Sequence, residues 1–192
     1  MEITKQVVAI HEAGHLLIIL ATPLRDIIQH AKLFENEGTW EGEVAVDYTG
    51  NNKIPNESVY DVAKGMGGPL TQIHFHPESI PEPLLELINK HQGLLAATQH
   101  IVKEKMNIST NWWPDLQRWI DYCKTNFRND SPGYYAIEKD ICDSLSVPLV
   151  SDTVHFLAEK LVLKGKLTRE ELLSYPQDMF PVYQFPERLR IF

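Results

Sequence analysis

Apolar positions crowd the start of the chain. Between Thr4 and about Ala21, Val7, Val8, Ala9, Ile10 and the run Leu16-Leu17-Ile18-Ile19-Leu20 cover most faces of a helix rather than one stripe. That pattern predicts a helix buried on nearly every side, and Pro23 marks its end. From Ile27 to Asp47 the rhythm changes. Glu, Thr and Trp interleave with Val44-Ala45-Val46, and Gly38 and Gly42 punctuate the run, which predicts two or three short strands around a turn. Residues 50–56 read as a loop and Ser58 to Gln72 as a helix containing Gly65, Gly67, Gly68 and a potentially kinking Pro69. Glycines at that density cost a helix about 1 kcal/mol each relative to alanine, unless another element packs closely against the backbone.

A longer helical region is expected from Ser79 to Met106, with Leu84, Leu85, Leu87, Ile88, Leu94, Leu95 and Ile101 as its apolar stripe. Pro114 sits where a first helical turn would start, before Asp115-Leu116-Gln117-Arg118-Trp119-Ile120. Ser131-Pro132 opens another helix, running through Ile141 and Leu145. Val154, Leu157, Leu161 and Leu163 fall at helical spacing in the next, which Gly165 ends. Thr168-x-x-Glu171 matches a capping box for a last short helix, and the proline-rich tail, residues 176–192, reads as extended. No repeat or linker interrupts the pattern. The expectation is one mainly α domain over residues 1–192, with a small β-sheet beside the N-terminal helix.

The 192 residues suffice for one such core, and a net charge of −8 with pI near 5.4 argues against nucleic acid or an anionic membrane as partner. Cys123 and Cys142 lie in no metal-binding spacing and read as small core residues, in keeping with a reducing, cytoplasmic setting. The apolar start lacks the basic region of a signal peptide, and no other stretch approaches the roughly twenty apolar residues of a spanning helix. A membrane-embedded enzyme is therefore not expected.

Candidate chemistry is concentrated inside the first helix. His11-Glu12-Ala13-Gly14-His15 is an H-E-x-x-H pattern. Residues four apart on a helix lie one above the other, so His11 and His15 can offer two imidazole nitrogens to one Zn²⁺. Glu12 stands beside them, suited to take a proton from an attacking water and hand it to a leaving amine. Two histidines and a glutamate in an apolar run are costly unless a metal or polar partners satisfy them.

Catalytic zinc takes three protein ligands. No His follows His15 at the metzincin position, and Glu35, Glu37, Glu41 and Glu43 lie in the strand region, where solvation is expected. His74 and His76 precede a proline-rich turn and read as surface or capping residues. Asp61 and Asp115 remain, each on an expected helix. Asp115 is open to two readings, ligand or helix-terminal carboxylate favoured by the macrodipole.

The chain resembles the peptidase domain of FtsH-type, AAA-associated zinc metalloproteases. Ile10-His11-Glu12-Ala13-Gly14-His15 looks like their zinc helix, and Gly67-Gly68 with Ile73-His74-Phe75 looks like the glycine-rich helix that follows. Trp113-Pro114-Asp115-Leu116-Gln117-Arg118 is similar to their Asn-Asp-Leu-Gln-Arg segment, and residues 165–172 resemble their terminal segment. The order agrees over roughly residues 5–175. The resemblance implies Asp115 as third zinc ligand beside His11 and His15, with Glu12 as general base. It also exposes departures. The family's Ala-Glu-Glu stretch stands here as Leu70-Thr71-Gln72, which removes an acid that would orient a ligating His. Pro114 replaces Asn, and no Gly-x-x-x-x-Gly-Lys-Ser/Thr loop is present, so these residues hold no ATPase module.

The expected activity is zinc-dependent hydrolysis of peptides or unstructured chains, with an extended substrate adding to a strand between Glu41 and Asp47. A weak or inactive peptidase-derived scaffold is the alternative from another class. A third is a homo-oligomeric or partner subunit that docks on a separate ATPase.

Overall fold

The computed structural model describes residues 4–49, 59–106, 115, 117, 120, 131–183 and 185. It is mainly helical with one small antiparallel sheet. Helix α1 (Lys5–Leu20) starts where Thr4 Oγ1 accepts the Val7 N–H at 3.3 Å. Ile10, Ala13 and Leu16 to Leu20 have no exposed surface, as a helix apolar all round requires. A 3₁₀ turn at Pro23–Ile27 leads into the hairpin of β1 (Ile28–Asn36) and β2 (Thr39–Val46). Glu37 and Gly38 both adopt positive φ, 50° and 80°, the two-residue turn whose twist matches paired strands.

Helix α2 (Val59–Phe75) runs a turn further than Gln72 and carries Pro69 in its interior. The continuous helix expected over Ser79–Met106 is instead two, α3 (Glu82–His91) and α4 (Leu94–Lys103). Gln92 at φ 60° ends the first, and a buried carboxylate starts the second. Glu138 reaches across from α5 (Ser131–Leu145) and accepts the Leu94 N–H at 2.7 Å and the Leu95 N–H at 3.3 Å. Burial pushes the Glu138 carboxyl up, and these two amides pull it back only in part. The apolar stripe across 84–101 does not register this break, because apolar residues on both sides of it are buried, Leu84, Leu87 and Ile88 in α3 and Leu94, Leu95 and Ile101 in α4.

Helix α6 (Pro148–Lys164) ends at Gly165, φ 72°, whose N–H bonds the Leu161 carbonyl at 2.8 Å. Three residues absent from the expected sheet then form β3 (Lys166–Thr168), antiparallel to β1 with Ala31 opposite Leu167. The sheet order is β2-β1-β3, which among the described residues leaves β2 at an edge. The capping box forms as expected at α7 (Arg169–Ser174): Thr168 Oγ1 accepts the Glu171 N–H and Glu171 accepts the Thr168 N–H. Helix α1 is the hub, packed between α2, α6 and the hairpin. No helix among the described residues is long and apolar enough to cross a membrane. Cys142 is exposed on α5 rather than in the core, a correction to the composition-based reading. Cys123, the 50–56 loop, Trp113-Pro114 and most of the tail beyond Tyr183 lie outside the described residues.

Candidate metal centre

The candidate metal centre assembles where α1 crosses α2. Gly14 and Gly67 face each other there: a Cβ on Gly67 would lie 2.5 Å from the Gly14 carbonyl oxygen, and one on Gly14 would lie 2.4 Å from that of Gly67. Close backbone approach is thus what the glycines of α2 provide. Lys64, Gly68 and Gln72 fall four apart and form one stripe of α2 opposite His11 and His15. A Cβ on Gly68 would lie 2.4 Å from His15 Nε2 and 2.6 Å from His11 Nε2, so only glycine leaves room for the two rings.

Three donor atoms converge. His11 Nε2 lies 2.7 Å from Asp115 Oδ2, His15 Nε2 lies 3.4 Å from the same oxygen, and the two Nε2 atoms are 3.1 Å apart. Ligand atoms of a tetrahedral zinc site with bonds of about 2.0–2.1 Å stand about 3.3 Å apart, so the triangle fits that metal with a small expansion. The opposite ring nitrogens already have partners. His11 Nδ1 meets Gln72 Oε1 at 2.8 Å and His15 Nδ1 meets the Lys64 carbonyl at 2.7 Å. Both of these partners accept, and the Gly68 N–H, the other contact of His15 Nδ1, lies farther off at 3.3 Å, so the nearer contacts favour the proton on each Nδ1 and turn both Nε2 atoms to the centre.

Electrostatics agree with a ligand set held by shared protons. Burial would push the Asp115 carboxyl up, but hydrogen bonds from His11 and His15 hold it far below the usual carboxylate range. Burial lowers His15, yet Asp115 and Glu12 outweigh it and raise the imidazole. A metal bound there would replace the protons that bridge these groups.

Glu12 is buried, at 6% exposure, and β2 passes directly over it: a Cβ on Gly42 would lie 2.5 Å from Glu12 Oε1. Its ligand atom, those of His11 and those of His15 lie within 4.8 Å of one another, a looser group than the triangle that includes Asp115. The structure therefore brings together all four residues singled out from sequence. Asp61 is elsewhere, accepting from Tyr48 Oη, with Lys64 Nζ 3.5 Å away. His74 is exposed, His76 pairs with Glu78 at 2.8 Å, and Glu35, Glu37, Glu41 and Glu43 are exposed as expected.

Sequence reading missed Gly42, Gly68, the Lys64 carbonyl and the part played by Gln72. The four-residue spacing of 64, 68 and 72 was the available signal. Nothing in sequence places Gly42 over Glu12. No protein-family model matches the chain, and no curated protein is significantly similar to it.

Asp115→Ala is expected to weaken zinc binding by orders of magnitude, whereas Asp61→Ala leaves it unchanged. Chelator competition on the two variants, with thermal midpoints alongside, checks this. Full zinc affinity in Asp115→Ala with only a lowered midpoint reduces Asp115 to a structural carboxylate.

Proposed function

We propose that the chain is a zinc metallopeptidase of the FtsH-type peptidase class that cleaves peptides and unstructured chains. The observation that carries this reading is the convergence of His11 Nε2, His15 Nε2 and Asp115 Oδ2 with an acceptor as the nearest partner of each Nδ1. Zinc bound there would supply a Lewis acid for the scissile carbonyl and lower the pKa of water toward neutrality. Glu12, roofed by Gly42, takes the proton of the attacking water and returns it to the leaving amine. The edge position of β2 suits addition of an extended substrate strand, with backbone hydrogen bonds holding it beside α1. Folded proteins present no such free strand, so substrates are confined to unstructured segments unless a separate ATPase supplies them.

Metal analysis of protein purified without added zinc, together with hydrolysis of a quenched peptide library with and without chelator, tests the proposal. Stoichiometric zinc and chelator-sensitive cleavage are expected. Zinc without cleavage would favour the scaffold reading, for which the loss of an acid at Gln72 is the supporting departure. Absence of zinc binding would overturn the metal centre altogether.

A further inference from the structure

The site geometry leaves one question of chemistry open: what decides which way round the Gln72 amide sits. An amide has an oxygen that accepts and a nitrogen that donates, and half a turn exchanges them. With NH₂ toward His11, Nδ1 would have to accept and the ring proton would move to Nε2, covering the lone pair a metal requires. The wrong rotamer therefore closes the site as surely as a missing ligand.

The surroundings permit only one orientation. Gln72 Nε2 lies 3.0 Å from Ser79 Oγ, and Ser79 Oγ lies 2.6 Å from the His76 carbonyl oxygen. A carbonyl can only accept, so the single Ser79 proton points at His76 and a lone pair faces Gln72. Only the amide NH₂ can meet that lone pair, which turns Oε1 toward His11 at 2.8 Å. Gln72 at 5% exposure and Ser79 at 8% leave little access for competing water. The turn that carries Ser79 is itself pinned to α2, because the His76 N–H bonds the Gln72 carbonyl at 2.8 Å and the Ser79 N–H bonds that of His76 at 2.9 Å. His15 needs no such relay, since the nearest partner of its Nδ1 is already a backbone carbonyl at 2.7 Å, closer than the Gly68 N–H at 3.3 Å.

We infer that Gln72 is the positioning residue of the metal centre: through Ser79 and the His76 carbonyl it holds His11 as the Nδ1–H form, so that Nε2 is presented to the metal. The inference rests on the metal-centre reading above. It also assigns to an uncharged amide the orienting task that the family resemblance gives to a carboxylate. The relay fixes the ring without adding a negative charge beside Glu12 and Asp115.

The test measures zinc affinity by competition with a chromophoric chelator for wild type, Gln72→Leu, Gln72→Glu and Ser79→Ala. Folding of each variant is checked by circular dichroism. In parallel, ¹H–¹⁵N NMR of the zinc-loaded proteins reads the His11 Nδ1–H proton. Gln72→Leu, lacking an acceptor, is expected to bind zinc about 10–100-fold more weakly and to lose the protected Nδ1–H signal. Gln72→Glu keeps an acceptor and is expected to retain the signal with affinity equal to or above wild type. Ser79→Ala frees the amide to turn and should fall between. Zinc affinity within about threefold of wild type and an unchanged Nδ1–H signal in Gln72→Leu would overturn the relay while leaving the metal centre standing. Failure of wild type itself to bind zinc would overturn both.

Discussion

Replacing Glu12 with glutamine is expected to leave zinc in place and to lower peptide hydrolysis by about 10²–10⁴-fold, the usual contribution of a positioned acid–base group. The change is nearly isosteric. It preserves the packing of this buried side chain beneath Gly42, so a fall in rate is not a consequence of repacking. Zinc retention follows from geometry, since the tight triangle of donor atoms is completed by Asp115 rather than by Glu12. What the variant loses is a carboxylate able to accept a proton from water and release it to nitrogen. Zinc content by atomic emission and single-turnover cleavage of a fluorogenic peptide give the two readings. Loss of zinc would make Glu12 a ligand, and unchanged turnover would remove it from the chemistry.

The second large effect is expected at a residue with no side chain. Gly68→Ala should abolish high-affinity zinc binding, because its methyl would occupy space 2.4 and 2.6 Å from the two Nε2 atoms and both rings would have to move. Helix propensity works in the opposite direction, favouring alanine by about 1 kcal/mol, so the variant is expected to fold. Gly67→Ala is the informative comparison. Its methyl would meet the Gly14 carbonyl oxygen at 2.5 Å and Ile18 Cγ1 at 2.7 Å, pushing the two helices apart at a destabilisation of about 1–3 kcal/mol. Zinc titration and thermal midpoints on the pair should therefore separate: Gly68→Ala loses the metal, and Gly67→Ala loses stability. Wild-type zinc affinity in Gly68→Ala would place the metal away from the converging nitrogens.

Much of the molecule was legible along the chain where the deciding interactions are local. The apolar coat of residues 7–20 dictates a buried helix, and the four-residue step from His11 to His15 puts both rings on one face of it, because helical geometry needs nothing beyond the backbone. Gly38, Gly165 and the Thr168-Glu171 box mark the ends of elements through φ preference and capping, which are likewise local. The break at Gln92-Gly93 escaped because its stabilising partner, Glu138, comes from a helix more than forty residues away.

The same boundary runs through the site. Sequence alone determined that two imidazoles and a carboxylate share one stretch of a buried helix, a combination unstable without partners. Only the tertiary structure decided who those partners are. Asp115 arrives from 104 residues away and Gln72 from 61, the Lys64 carbonyl is a backbone group that any residue would offer, and Gly42 comes from the hairpin. β3 belongs to the same class, since three residues join the sheet only because α6 delivers them beside β1. Helical periodicity repeats over a few residues and can be read from them. A contact across the core depends on how whole elements pack, and that is settled by the shape of their buried faces against one another.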